Sequence, residues 1–191
     1  MSATEETSKR NLRAEFEETA LPIVPALFRT ARRLTRRPED AGDAVQETML
    51  RAYRTFHGFQ AGTNARAWLF TILYSILTND WRRRKRAPEE VPLELVEERF
   101  AKALRASGVD AESRLLQRLG ASPDVDSALK DLPREYRAAV LLVDVEELSY
   151  EDAAAILECP VGTVRSRLHR ARKLLFVSLH DYARRTGVAE G

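Results

Sequence analysis

The chain is poor in the residues on which secreted proteins and most enzymes depend. Of its 191 residues only one is a cysteine, Cys159, so no intrachain disulfide can form and no cluster has zinc-ligand spacing. The sequence has no glycine-rich phosphate loop, no nucleophile elbow and no paired histidine ligands. Asp40 and Asp43 lie close in sequence, but no further ligand accompanies them. We therefore expect no metal, no cofactor and no catalytic activity.

Long apolar runs are missing as well. No run approaches the roughly 18–20 residues that a membrane-spanning helix needs. The N-terminal residues, MSATEETSKR, contain no apolar signal core. We expect a cytoplasmic protein in a reducing compartment, with no direct insertion into a membrane.

Strand signals are weak, and helix-forming residues dominate the composition. Apolar residues make up 44% of the chain, which is enough for a core, while Ala, Leu, Glu and Arg are abundant and alternating patterns are few. We predict an all-α protein of two small helical domains joined by a flexible linker. The predicted boundaries are a disordered N-terminus (1–13), a first domain (14–86), an acidic linker (87–123), a second domain (124–179) and a C-terminal tail (180–191).

The net charge of +2 conceals a strong segregation of charge. Five arginines fall between Arg29 and Arg37, and five consecutive cations run from Arg82 to Arg86. The segment 87–131 has ten acids against six bases, a net charge of −4. The basic blocks suit phosphate contacts and the acidic block suits a linker that avoids DNA. Ordinary solvated helix faces remain the alternative for each basic block.

Helical periodicity and punctuating residues predict the elements of both domains. Asn64 is a candidate N-cap, and Ser149 begins a capping-box pattern with Asp152. In the first domain the sequence predicts a short helix that ends near residue 21 and three further helices that span 22–36, 44–57 and 65 to about 85. A loop is predicted at 59–64. In the second domain they span 124–131, 133–145, 150–157 and 160 to about 179, with a turn at 158–159.

The segment 149–175, SYEDAAAILECPVGTVRSRLHRARKLL, is the most informative part of the chain. It predicts two helices joined by a tight turn, the layout of a helix-turn-helix whose second helix enters the DNA major groove. That helix has an apolar stripe formed by Val164, Leu168, Ala171 and Leu175. The opposite face carries Arg165, Ser166, His169, Arg172 and Lys173, and Thr163 near the helix start is a candidate phosphate contact. The alternative is a cationic amphipathic helix that only packs on a neighbour.

The helix that follows Asn64 contains two tryptophans with different predicted roles. Trp68 lies among Leu69 and other apolar residues, so we predict a core position for it. Trp81 borders the cationic run 82–86, where an aromatic ring could stack on an unpaired base or pack in the core. Both readings of Trp81 stay open.

Several segments taken together resemble bacterial sigma factors of the extracytoplasmic-function group, the two-domain members of the sigma-70 family. DAGDAVQETMLRAYR (40–54) resembles region 2.2 of that family, FQAGTNARAWLFTIL (59–73) resembles region 2.3, and NDWRRRKR (79–86) resembles the end of region 2.4. LPREYRAAV (132–140) and the segment 149–175 resemble region 4. Their order and spacing cover most of residues 15–86 and 124–178.

The resemblance implies a promoter-specificity subunit that binds core RNA polymerase and promoter DNA, is a monomer when free, and is held inactive by an anti-sigma factor. The implied polymerase-binding residues are Asp43, Gln46, Glu47, Leu50 and Tyr53. Those implied at the −10 element, where the 59–64 loop captures a flipped base, are Phe59, Thr63, Asn64, Asn79, Trp81, Arg82, Arg83, Arg84, Lys85 and Arg86. Those implied at the −35 element are Thr163, Arg165, Ser166, Arg167, His169, Arg170, Arg172 and Lys173. The acidic linker would thread the RNA-exit region of the polymerase.

Two other functions remain as alternatives. A stand-alone helix-turn-helix transcriptional regulator would bind duplex DNA without polymerase, as a symmetric dimer on paired half-sites. An adaptor that keeps a sigma-like shape without supporting transcription is the other possibility. The presence of Arg165, Arg167 and Arg172 argues against the adaptor, because such a protein does not need DNA-facing cations.

Overall fold

The computed structural model of the chain describes residues 3–60, 62–83, 92–107 and 123–186. Over these residues the structure consists of helices and their connections and contains no strand, which confirms the all-α prediction. The chain divides into two compact units, Met1–Arg86 and Ala87–Gly191. None of the helices in the described ranges has the combined length and apolar character that crossing a membrane requires.

The first unit is a bundle of four helices with short 3₁₀ turns. Proline stands in the first turn of two of these helices, where its missing N–H costs no hydrogen bond. Asn64 caps the last helix, since its Oδ1 accepts from the Ala67 N–H at 3.1 Å, as predicted. The elements are α1 (Ala3–Ala20), a 3₁₀ turn (Leu21–Ile23), α2 (Val24–Leu34), α3 (Pro38–Thr55), a 3₁₀ turn (Phe56–Gly58) and α4 (Ala65–Arg83).

Small residues on α3 allow close packing in the centre of this unit. Ala41, Ala44 and Ala52 are buried on the face of α3 that contacts α2 and α4. Alanine adds little bulk beyond the backbone, so large side chains such as Leu27 of α2 and Phe70 of α4 can fill the space between the helices. This packing leaves the opposite face of α3 at the surface.

The beginning of the chain differs from the sequence prediction. Residues 1–13 were predicted to be disordered because they are polar, but α1 begins at Ala3. The helix is anchored at its other end, where Phe16 and Ala20 are buried. Arg13 and Glu17 form an exposed i,i+4 ion pair at 2.7 Å, which adds little to this anchoring because water screens both charges.

The second unit is built around one long helix at its C-terminal end. Among the described residues of the unit, this helix contacts each of the other four α-helices. Its predicted stripe of Val164, Leu168, Ala171 and Leu175 is buried, which confirms the helical periodicity of the sequence. The elements are α5 (Leu93–Ser107), α6 (Pro123–Asp131), α7 (Arg134–Val140), a π turn (Leu141–Val145), α8 (Tyr150–Ile156) and α9 (Val161–Thr186).

The segment predicted as a linker contains a helix with its own packing. The sequence predicted a flexible acidic linker over 87–123, whereas α5 extends for 15 residues and packs along α9. Val96 and Ala103 lie on its buried face. The prolines and glycines that suggested a flexible segment flank this helix and leave its interior uninterrupted.

Candidate nucleic-acid and polymerase interfaces

Capping hydrogen bonds fix both ends of α8 and thereby the turn that leads to α9. The Ser149 Oγ accepts from the Asp152 N–H at 2.9 Å and starts α8. At the other end the Glu158 and Cys159 N–H groups donate to the Ala155 and Ala154 carbonyls, the pattern of a Schellman motif. Glu158 takes the left-handed conformation there, with φ at 51°. These bonds hold the two helices in the predicted helix-turn-helix.

The exposed face at the start of α9 carries the side chains best placed for a ligand. Arg165, Ser166 and His169 are exposed and Thr163 is half-buried. The Arg165 guanidinium lies over the Tyr150 ring, 5.7 Å from its centroid. A cation held above an aromatic ring keeps its charge while losing part of its conformational freedom. This arrangement suits bidentate recognition of a base edge.

Two other predicted DNA-contacting cations form ion pairs within the protein. Arg172 Nε and Nη2 donate to the two carboxylate oxygens of Asp144 at 3.1 and 2.6 Å. This bond is the main reason why the pKa of Arg172 is raised. Lys173 Nζ donates to both carboxylate oxygens of Glu97 on α5. In the chain by itself, therefore, Arg172 and Lys173 join elements of the second unit.

Arg167 and Arg170 flank the exposed face and are half-buried. Arg167 Nη1 lies 3.7 Å from the Cys159 sulfur, which connects α9 to the preceding turn. Arg170 Nη1 donates to the Tyr136 hydroxyl of α7 at 3.3 Å. The residues predicted to contact the −35 element thus form two groups. One is exposed at the start of α9, and the other also contacts further elements of the second unit.

The predicted polymerase-binding residues share the exposed face of α3. Asp43 and Gln46 are exposed, and Glu47 is half-buried and accepts from Arg51 Nε at 2.6 Å. Leu50 and Tyr53 continue the same face and are 45% and 42% exposed. Exposed large apolar side chains beside carboxylates are typical of a protein-binding surface.

The loop between α3 and α4 is folded by its own hydrogen bonds. Both the N–H and the hydroxyl of Thr63 donate to the Gln60 carbonyl, at 3.1 and 2.8 Å. Gly62 has a φ of 89°, a conformation that glycine adopts without strain. Asn64 contributes its side-chain oxygen to the α4 cap. The predicted base-capturing loop is therefore shaped before any DNA arrives.

An aromatic row lies beneath this loop. Phe59 stacks on Phe56 with 5.6 Å between ring centroids and 12° between planes, and its centroid lies 4.8 Å from that of Trp68. Phe16 meets the edges of both Phe56 and Tyr53 at 5.2 Å. Trp68, predicted to be in the core, is half-buried. We call Tyr53, Phe16, Phe56, Phe59 and Trp68 the aromatic row.

The remaining −10 residues extend along and beyond α4. Asn79 is exposed on that helix. Trp81, Arg82 and Arg83 continue its backbone, although their side chains lie outside the described part of the structure. Arg84, Lys85 and Arg86 lie outside the described residues altogether. Their roles stay predictions from the sequence.

Sequence reasoning did not single out the two carboxylates that engage α9. Asp144 and Arg172 are 28 residues apart, and Glu97 and Lys173 are 76 apart. No local pattern links residues at such separations. Tyr150, which holds Arg165, was noticed only as part of the capping pattern.

Comparison with known families agrees with the two-unit organisation. The sigma-70 region 2 model matches residues 22–87, and the sigma-70 region 4 model matches residues 123–175. The first range contains α2, α3 and α4, and the second contains the helix-turn-helix. Helix α5 falls between the two matched ranges.

Several characterised proteins are similar to the chain over most of its length. The ECF RNA polymerase sigma factor EcfG of Rhodopseudomonas palustris is 38% identical over 166 residues, 86% of this chain and 85% of that protein. The ECF RNA polymerase sigma-E factor of Escherichia coli K12 is 31% identical over 147 residues, 76% of this chain and 77% of that protein.

Two solved structures have a similar fold. The sigma factor RpoE from Bartonella quintana, in complex with the anti-sigma factor NepR, gives a TM-score of 0.64 at 30% identity and covers 86% of this chain and 96% of its own. CnrH in complex with the cytosolic domain of CnrY gives a TM-score of 0.57 at 25% identity, over 85% and 86% of the two chains. With both sigma-70 regions matched in order and relatives aligned over most of their length, the chain belongs to the ECF group of the sigma-70 family of RNA polymerase sigma factors.

Proposed function

We propose that the chain binds core RNA polymerase and directs it to promoters through a −10 and a −35 element. The observation that carries this proposal is the exposed group Arg165, Ser166 and His169 at the start of α9, which lies opposite a buried apolar stripe and follows a turn closed by the Glu158 and Cys159 hydrogen bonds. The chain itself catalyses no step, because the nucleotide-transfer chemistry belongs to the polymerase. Its place of action is the cytoplasm.

At the −35 element, α9 enters the major groove with its first turns foremost. Arg165 pairs with a guanine edge, while Ser166 and Thr163 contact phosphates or base edges. The Tyr150 ring supports this role because it orients the guanidinium before binding. Arg167 and Arg170 lie at the flanks, where they complete phosphate contacts.

The first unit has two roles: it docks on polymerase, and it opens the DNA at the −10 element. Leu50 and Tyr53 anchor the exposed face of α3 on the largest subunit, and the carboxylates of Asp43 and Glu47 form a polar rim. The loop at 59–64 receives a base flipped from the non-template strand. Flipping costs a few kcal/mol (~2–4), and a loop already shaped by the Thr63 bonds adds little ordering cost. The cations at 82–86 hold phosphates.

We further propose that an anti-sigma factor holds the chain inactive until a signal arrives, and that the chain is a monomer when free. Support comes from the structurally similar sigma factor RpoE, which was solved in complex with the anti-sigma factor NepR; the similar protein CnrH was likewise solved with a partner, the cytosolic domain of CnrY.

Run-off transcription with core RNA polymerase on a pooled promoter library, followed by sequencing, tests the proposal. We expect products that share two spaced upstream elements. Absence of enrichment over core polymerase alone, with polymerase binding intact, contradicts promoter selection and favours an inactive adaptor. Absence of polymerase binding, together with a dimer on palindromic duplex DNA, favours the stand-alone regulator.

A further inference from the structure

Helix α5 neutralises a cation on the predicted DNA-binding helix. Lys173 Nζ lies 2.6 Å from Glu97 Oε1 and also contacts Oε2, and its side chain is only 13% exposed. Glu97 Oε1 lies 3.8 Å from His169 Nε2 as well. One carboxylate therefore faces two side chains that are predicted to contact the −35 element.

Apolar contacts hold α5 in this position. The Phe100 ring meets the edge of Phe176 with 5.3 Å between centroids, and its own centroid lies 5.0 Å from Lys173 Nζ. Val96, adjacent to Glu97, is fully buried. The Glu97–Lys173 ion pair therefore lies beside packed apolar side chains, which limit its motion more than at an isolated surface pair.

The contacts between α5 and α9 follow the same residue order along both helices. Glu97 meets His169 and Lys173, and Phe100, one turn later on α5, meets Phe176. The acids of α5 are concentrated in its first half, with Glu94 and Glu98 beside Glu97. The acidic end of α5 therefore lies toward the DNA-reading end of α9.

We propose that the face of α9 formed by His169, Lys173 and Phe176 is a shared binding surface, occupied by α5 in the chain by itself and open to a DNA phosphate once α5 leaves. The inference rests on the proposed function, in which α9 binds promoter duplex. Carboxylate and phosphate oxygens are alternative acceptors for the same ammonium group, and a Lys173 whose charge is neutralised by Glu97 attracts a phosphate less strongly. Docked α5 consequently weakens duplex binding by one phosphate contact.

The position of α5 in the chain supplies a way to release it. It lies in the segment between regions 2 and 4, outside the ranges that either family model matches. The resemblance to sigma factors implies that this segment threads the RNA-exit region of polymerase, which would take α5 away from α9. Polymerase binding thereby frees Lys173 when the second unit must grip duplex DNA.

The test measures binding of the full chain to a mixed-sequence 30-base-pair duplex by fluorescence anisotropy at 50–200 mM salt. Mixed sequence is sufficient because a lysine–phosphate contact does not depend on base identity. The variants are Glu97→Gln, Lys173→Ala, the double variant, and Glu98→Gln. Glu98 is an exposed neighbour on the same helix, so its variant changes net charge equally and leaves the ion pair intact.

We expect Glu97→Gln to steepen the dependence of log K on log salt by about 0.9, equivalent to a further loss of affinity of roughly threefold between the two salt limits. Glu98→Gln should keep the parent slope. Lys173→Ala should hardly affect the parent but should remove the whole gain in the Glu97→Gln background. Phe100→Ala, which releases α5 without changing charge, should resemble Glu97→Gln.

Two results would overturn the inference. One is equal behaviour of Glu97→Gln and Glu98→Gln, which would reduce the effect to net charge. The other is a large loss on Lys173→Ala in the parent, which would mean that Lys173 reaches DNA with α5 docked. Failure of the proposed function would appear separately, as absence of promoter-specific products in the run-off assay while the duplex measurements keep their pattern.

Discussion

Arg172 of α9 holds Asp144 of the π turn through two parallel hydrogen bonds, at 3.1 Å from Nε and 2.6 Å from Nη2. The Asp144 side chain is only 8% exposed, so this carboxylate depends on the guanidinium for its hydrogen bonds. The pair connects α9, the proposed DNA-reading helix, to the turn that precedes the helix-turn-helix.

Removal of the Asp144 carboxylate should destabilise the second unit. We expect Asp144→Ala to lower the free energy of unfolding by about 1.5–3 kcal/mol, because a partly buried arginine loses its charged partner. Urea unfolding followed by circular dichroism measures this change. Asp131→Asn, at an exposed position in the same unit, should stay within about 0.5 kcal/mol of the parent. Equal losses in both variants would show that the ion pair adds nothing.

Arg165→Ala should change promoter choice rather than general DNA affinity. We expect a cost of about 1–3 kcal/mol at one position of the −35 element and relaxed preference there, since a bidentate pair with a base edge is lost. Sequencing of run-off products from the promoter library measures the preference at each position. A uniform loss across all sequences would reassign Arg165 to the phosphate backbone. Tyr150→Leu should produce a weaker form of the same relaxation, because it removes the ring beneath the guanidinium.

Neutralisation of Arg83 and Arg84 should change general DNA affinity rather than promoter choice. We expect the Ala–Ala variant to bind all promoters more weakly and to flatten the salt dependence by about 1–2 in log–log slope, since each cation holds a phosphate. Competition titrations of the polymerase complex on several promoters at different salt concentrations measure both quantities. Selective loss at one promoter would contradict a phosphate role.

Leu50→Ala should weaken polymerase binding while the fold stays intact. Leu50 is 45% exposed, so its truncation costs little stability, but as an interface anchor it should contribute about 1–2 kcal/mol to association. Leu21→Ala is the matched control, because Leu21 is 53% exposed in the same unit but outside α3. Fluorescence titration with core polymerase should show about tenfold weaker binding for Leu50→Ala alone. Equal affinities of the two variants would exclude the α3 face as the docking surface.

Glu97 should titrate differently when Lys173 is absent. The hydrogen bond from Lys173 lowers the pKa of Glu97 below its ordinary value, against a smaller opposing effect of desolvation. A lowered pKa in the folded chain means that the carboxylate favours docked α5 above the ordinary pKa, and that this contribution disappears as the pH falls through the lowered value. Lys173→Ala should therefore raise the pKa of Glu97, as measured by NMR titration of side-chain carboxyl resonances. An unchanged titration curve would show that the ion pair is absent in solution.

Local rules in the sequence were sufficient for the helix-turn-helix and for both caps, although they missed the first turns of α1 and the length of α5. The buried stripe of α9 follows from spacing alone, and the Asn64 and Ser149 caps follow from residue type and position. The exposed face of α3 is similarly the complement of its buried alanines. Such features depend on neighbours within one or two helical turns, which a linear pattern contains.

Contacts between distant segments could not be read in this way. The sequence placed Arg172 and Lys173 on a polar face, but only the structure shows that Asp144 and Glu97 occupy them. A polar helix face carries the same pattern whether water, DNA or another helix covers it. The buried face of α5 was missed for the same reason, since the helix that covers Val96 is supplied by the tertiary fold.

The aromatic row makes the two surfaces of the first unit share one set of side chains. Tyr53 contributes to the α3 face and Phe59 to the loop, while Phe16 and Phe56 pack between them. A substitution at Phe56 that suits one surface therefore disturbs the other. Under the proposed function, a substitution that changes affinity for polymerase at the α3 face also changes the shape of the proposed base-capturing loop. A change at one end of the aromatic row therefore calls for a compensating change at the other end.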